Sequence, residues 1–258
     1  MARLQPTGDS LPSVLVTGGA RRVGAAISRD LAAQGFAVAI HHHASDEEAE
    51  ALAAEIRQQG GQCETFRADL CDASETTGLL GAVVTRMGPI RLLINNASIF
   101  EPDQAHEPDA RLWDMHFAIH VRAPALLSAA FARQEAIDGG LVVNMIDQRV
   151  WRLNPHFFSY TLSKSALWTA TQTMAQAFAP RIRVNAIAPG PTLANERQGA
   201  SDFARQVDGL IGTGPDLAAF ARTIRYLWDT PSVTGQMIAL DGGQHLAWET
   251  PDIAGIRE

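Results

Sequence analysis

The sequence predicts an α/β protein, one doubly wound domain built on a parallel sheet. Three observations carry that prediction. Short apolar runs alternate with helix-length amphipathic segments, a pattern that implies right-handed βαβ crossovers. A glycine-rich turn joins the first apolar run to a helix. The 258 residues, 46% hydrophobic and 19% charged, suffice for one sizeable core, with no linker or repeat dividing them.

The strands are expected at "SVLVT" (13–17), "FAVAI" (36–40), "CETFRA" (63–68), "RLLIN" (91–95), "LVVNMI" (141–146), "IRVNAI" (182–187) and "QMIAL" (236–240). Stretches such as "EEAEALAAEIRQQG" between them repeat apolar residues at helical spacing. Residues 1–12 read as an arm ahead of the first strand and 13–258 as the domain. Segment 191–214, with Pro191, Gly199, Gly212 and Gly214, reads as a substrate loop.

A net charge of −7 without a basic run argues against a nucleic-acid surface. No apolar stretch is long enough to span a bilayer, and the first residues lack an apolar signal core. Two cysteines, Cys63 and Cys71, fit neither a zinc spacing nor a disulfide framework, so a reducing cytoplasm is expected.

In "VLVTGGARRVGAAIS" the glycines let backbone N–H groups approach a pyrophosphate, with a helix N-terminus facing its charge. Thr17, Gly18 and Gly24 fit TGxxxGxG, but Arg22 replaces the middle glycine. An NAD-preferring fold keeps an acid about 20 residues further on, at the end of the second strand, for the ribose 2′-OH. Here that place holds "HHHAS", and the first acid is Asp46. The expectation is NADPH, with Arg21, His41 or His43, and Ser45 near the 2′-phosphate. A metal reading is weaker, because adjacent strand residues point to opposite faces. Nor would a purification tag sit inside the chain.

Tyr160 and Lys164 lie at i,i+4 in "SYTLSKSALW", on one face of a helix. A nearby ammonium favours phenolate, so Lys164 is expected to draw the Tyr160 pKa of about 10 down toward neutrality and tune it as a proton donor.

Taken together, "TGGARRVG", "ADL" (68–70), "NNAS" (95–98), "YTLSK", "IRVNAIAPGP" and "DGG" resemble the short-chain dehydrogenase/reductase family over nearly the whole chain. The resemblance implies a seven-stranded Rossmann sheet in the order 3-2-1-4-5-6-7, NADP(H) binding and a homotetramer or homodimer. It also implies that Asp69 contacts adenine, Asn96 lines the cofactor cleft, Lys164 holds the nicotinamide ribose and Pro189-Gly190 border the nicotinamide. Val23, Leu70, Ala97 and Tyr160 complete the implied cofactor set.

Two departures narrow the resemblance. Carbonyl reductases of the family carry a serine thirteen residues before the tyrosine, and here that residue is Asp147. The family asparagine before "xxAP" is His120. Aspartate suits an amino group or ring nitrogen better than a carbonyl oxygen. Together with Arg22, "NNASIF" and "HHHAS", it resembles the pteridine reductase and dihydromonapterin reductase branch. That branch implies Phe100 stacking on a pterin, Ser98 at its polar edge, Arg22 touching both the pyrophosphate and the pterin, and Asp147, Tyr160 and Lys164 as the catalytic set. The branch's arginine in "HYHRS" is Ala44 here.

The expected activity is therefore NADPH-dependent reduction of a dihydropterin to the tetrahydro form. A general carbonyl or 3-oxoacyl reductase is the rival enzyme, and an NADP(H)-binding sensor the rival from another class. Blander roles stand beside these: a cap for Asp147, a core ring for Phe100, local backbone bonds for Ser98. Trp151 and Phe157 read as pocket walls or interface, His116 and His120 as structural, and no metal is expected.

Overall fold

The computed structural model describes residues 12–193, 211 and 216–248. The expected arm therefore lies outside the described residues except for Pro12, and so does the expected substrate loop except for 191–193 and Ile211.

The strands are β1 (Ser13–Val16), β2 (Ala37–His42), β3 (Cys63–Arg67), β4 (Ile90–Asn95), β5 (Gly140–Met145), β6 (Ile182–Pro189) and β7 (Met237–Leu240). They form one parallel sheet in the order β3-β2-β1-β4-β5-β6-β7, as the resemblance implied. The helices are α1 (Arg22–Ala33), α2 (Asp46–Gln58), α3 (Ala73–Met87), α4 (Ala110–Phe117), α5 (Ala123–Ala132), α6 (Phe158–Phe178) and α7 (Leu217–Asp229). No helix of the described residues is long and apolar enough to cross a membrane.

Strand alternation divides the core in two. Val14, Val16, Val38, Ile40, Leu92 and Ile94 pack with Ile27 and Leu31 of α1, Leu52 and Ile56 of α2, and Phe220 and Ile224 of α7. Leu15, Ala39, Leu93 and Val142 point the other way, toward Leu79 and Val83 of α3 and Leu127 and Phe131 of α5. Strands covered on both faces are why these runs are continuously apolar rather than alternating.

Both sheet halves deliver their carboxyl ends to one edge, where β1 lies between β2 and β4 and the direction of winding reverses. A buried polar ladder locks that edge. Asn95 and Asn144 pair in register, Asn95 donating to Asn144 at 2.8 Å, and Asn144 donates to Thr171 of α6 at 2.8 Å. Helix starts differ by location. Asp72, Asp109 and Asp216 accept backbone N–H bonds at the starts of α3, α4 and α7, whereas α1 and α2 have no side-chain cap.

Candidate active site

The glycine turn is held rigid by its neighbours. Gly18 has φ +60°, and its N–H donates to His41 Nδ1 at 3.0 Å. Asn96 Nδ2 donates to the carbonyls of Thr17 and Gly18 at 2.9 and 3.1 Å, and Thr17 Oγ1 accepts from the N–H groups of Asn96 and Ala97. A Cβ at position 24 would lie 2.1 Å from the Gly18 carbonyl oxygen, so only glycine permits this approach of helix to turn. The first turn of α1 contains no acid, and its N-terminal N–H groups lack a side-chain cap. A helix N-terminus that no side chain caps among the described residues, behind a fixed glycine turn, fits a pyrophosphate. Arg22 adopts φ +53°, the backbone state that makes glycine usual there, and its Nη2 donates to the Leu193 carbonyl at 3.1 Å. Val23 packs partly buried against the core beside this turn.

At the end of β2 the histidines separate. The strand continues through His41 and His42, so His41 turns inward and is buried. Its Nδ1 accepts from Gly18 and its Nε2 contacts the Ala68 carbonyl at 3.0 Å. Burial, the largest influence, pushes its pKa down to about 4. Both ring nitrogens are used, which corrects the expected contact of His41 with the 2′-phosphate: this residue ties the glycine turn to the end of β3. His43 is exposed, 3.9 Å from the Asp69 carboxylate, and Leu70 is buried beside them. Ser45 precedes α2 without capping it, and Arg21 lies 3.8 Å from Glu48. On the far side, Gly190 packs so closely on Asp241 that a Cβ would sit 2.7 Å from the Asp241 Cα, and Pro189 ends β6.

The catalytic candidates meet at the start of α6. Tyr160 is buried, and its hydroxyl donates to Asp147 Oδ2 at 2.9 Å. Asp147 also caps the short 3₁₀ turn Gln148–Val150, Oδ1 accepting from the Arg149 N–H at 2.8 Å, and Oδ2 accepts from Arg149 Nη1 at 3.1 Å. The capping role and the link to Tyr160 thus belong to the same side chain. Lys164 is buried, and its Nζ donates to the Met145 carbonyl at 2.8 Å. Burial lowers its pKa to about 8, against the raising influence of Asp147.

Tyr160 does not follow the expected tuning. Burial first, then the Asp147 carboxylate, push its hydroxyl well above its ordinary value. The spacing brought Lys164 to the right face, but its ammonium is spent on a backbone carbonyl and lies 5.7 Å from the ring centroid. The tyrosine is accordingly held in its protonated, proton-donating form.

Phe100 stacks on Phe157 with centroids 4.1 Å apart and meets Tyr160 edge-on at 4.8 Å, with the Arg149 guanidinium 5.1 Å from its centroid. Phe157 precedes α6 with φ +59° and ψ +52°, a strained state for an aromatic residue. Ser98 is exposed, with its Oγ 2.9 Å from His120 Nε2 and 3.3 Å from the Ile99 carbonyl. Arg149 and Ser163 were missed by residue-type reasoning, whereas Phe157 was expected only as a pocket wall or interface. A signal existed: His116 and His120 are spaced i,i+4, as are Ser159 and Ser163, and the two pairs bond one to one at 2.7 and 2.8 Å.

The chain belongs to the short chain dehydrogenase family, whose pattern matches residues 12–204. It is similar to FolM alternative dihydrofolate reductase 1 from Brucella suis, crystallised in complex with NADP, at 58% identity. That match covers 94% of this chain and 98% of the other, with a TM-score of 0.90. The dihydromonapterin reductase of Escherichia coli O6:H1 is 30% identical over 246 residues, 92% of this chain and 98% of its own length. A 3-oxoacyl-[acyl-carrier-protein] reductase of Staphylococcus aureus is 28% identical over 244 residues, 91% of this chain and 98% of its own.

Proposed function

We propose that this protein reduces a dihydropterin of the dihydromonapterin or dihydrobiopterin kind to the tetrahydropterin at the expense of NADPH. The observation that carries the reading is the 2.9 Å bond from Tyr160 to Asp147, an acid paired with a carboxylate where a carbonyl reductase keeps a hydroxyl. The glycine turn, the uncapped start of α1 and Gly190 fit the dinucleotide, and NADP in the Brucella suis relative supports the choice of cofactor.

Bound there, the reduced nicotinamide supplies a hydride to the carbon of a C=N bond. Tyr160 gives its proton to the nitrogen, and net uptake of one proton from solvent restores the hydroxyl. Asp147 orients the tyrosine and accepts from the amino or N–H edge of the ring, while Arg149 fixes the carboxylate by donating to it. Phe100 offers an aromatic surface, and Arg22 and Ser98 contact the polar edge. Lys164 and Asn96 hold the nicotinamide ribose and the cleft wall, Asp69 the adenine, and Arg21, His43 and Ser45 the 2′-phosphate. The same reading takes the chain to act in the cytoplasm as a homotetramer or homodimer.

The test is NADPH oxidation by the purified protein with dihydropterins and, in parallel, with an acetoacetyl thioester. Turnover of the dihydropterins is expected. Turnover of the thioester alone would assign the rival carbonyl reductase activity, and tight NADPH binding without either would favour a sensor.

A further inference from the structure

We propose that His120 is a positioning residue that makes Ser98 a hydrogen-bond acceptor toward the substrate, so that the site selects a ring edge presenting N–H groups. The inference rests on the pterin reading above for its substrate, but its geometry stands apart from it.

His120 lies in a π-helical turn, Ala118–Arg122, and its side chain is buried. The backbone N–H of Ile99 points at Nε2 at 3.3 Å, which requires that nitrogen to carry a lone pair. The proton then sits on Nδ1 and donates to Ser163 Oγ at 2.8 Å, whose own hydroxyl donates to the Tyr160 carbonyl at 2.7 Å. That branch ends on a backbone oxygen, so it fixes the imidazole rather than conducting a proton away. Burial and the neighbouring Lys164 and His116 keep the ring neutral. The ring also stands edge-on to Tyr160 at 5.3 Å, which limits its rotation.

With Nε2 an acceptor, Ser98 turns its single hydroxyl proton inward, to Nε2 at 2.9 Å with the Ile99 carbonyl at 3.3 Å as second acceptor. Ser98 is left with lone pairs toward the exposed side. Asp147 is likewise an acceptor. Two acceptors flanking the proton donor repel a carbonyl oxygen and suit amino and ring N–H groups. An asparagine at position 120 can instead donate its amide N–H to Ser98 and free the hydroxyl proton for a carbonyl.

Two measurements test this. Nitrogen-15 NMR of histidine-labelled protein, with His120→Asn and His120→Gln to assign the signal, is expected to show a protonated Nδ1 and an unprotonated Nε2. A protonated Nε2 overturns the proposal whatever the substrate. Kinetically, Ser98→Ala and His120→Asn are each expected to raise the KM for dihydropterin about tenfold, the scale of one lost hydrogen bond, with kcat and the KM for NADPH little changed. The double variant is expected to be no worse than Ser98→Ala alone, and additive losses would overturn the link through Ser98. If the wild-type protein turns over no dihydropterin, the proposed function and the substrate half of this inference fail together. The NMR result then still decides the role of His120.

Discussion

The Tyr160 hydroxyl donates to Asp147 Oδ2 at 2.9 Å, and the same carboxylate accepts from Arg149. The carboxylate stabilises the protonated tyrosine, so the pair stores a proton beside the reacting bond. Asp147→Asn removes the negative charge, and the Tyr160 pKa is expected to fall back toward its ordinary value. The chain has two tyrosines, so ultraviolet titration of phenolate resolves the change, with Tyr226 as internal reference. Dihydropterin kcat is expected to drop about 10²-fold or more, the usual scale for disrupted acid catalysis.

Lys164 gives opposite signs for activity and stability. Its pKa is lowered to about 8, below the ordinary 10.5. Between those values the unfolded chain binds more protons than the folded one. Burying the ammonium therefore costs stability below about pH 8, and the cost is relieved as pH rises toward 10.5. Activity that depends on the ammonium is expected to decline as pH rises through about 8. Lys164→Met is expected to abolish that limb and lower kcat, yet raise stability at pH 7 by about 1–3 kcal/mol. Denaturant unfolding beside pH–rate profiles checks both signs.

His41 is a base whose folded pKa, about 4, lies below its ordinary 6.5. Its contribution is complete above about pH 6.5 and is lost as pH falls toward 4, because the unfolded chain takes up the proton first. The expected loss across that window is about 3 kcal/mol. His41→Gln supplies an acceptor for Gly18 and a donor for Ala68 without titrating. Comparing unfolding of the two proteins at pH 7 and pH 4.5 should show a much flatter dependence in the variant.

Much of the fold was written in alternation: each apolar run became a strand, and the glycine turn marked the sheet edge where the site forms. The i,i+4 spacing of Tyr160 and Lys164 put both on one helix, α6, and the family resemblance pointed to Asp147, whose carboxylate accepts from Tyr160. What spacing does not encode is burial. The apolar run stopped at Ile40, so His41 looked like a residue beyond the strand, whereas β2 extends to His42 and buries it. Tyr160 was misjudged for the same reason, since its desolvation outweighs a lysine whose charge goes to Met145. His120 looked structural because its partners, Ser98 and Ser163, are distant in sequence.

Arg22 holds a left-handed backbone state, φ +53°, that costs a side-chain-bearing residue about 1–2 kcal/mol. Arg22→Gly is expected to relieve part of that strain, leaving thermal stability equal or higher, while raising the KM for dihydropterin. Arg22→Ala keeps the strain and loses the contact, so its KM should rise without any gain in melting temperature. A melting curve and a substrate titration of the two variants separate backbone from side chain.

The central claim is that Asp147, joined to Tyr160, directs this family's chemistry to a pterin ring. The most direct measurement is the ratio of kcat/KM for a dihydropterin to that for an acetoacetyl thioester, in the wild-type protein and in Asp147→Ser. A ratio well above one that falls about 10²-fold in the variant is predicted. An Asp147→Ser protein that reduces dihydropterin as well as the wild type would contradict it.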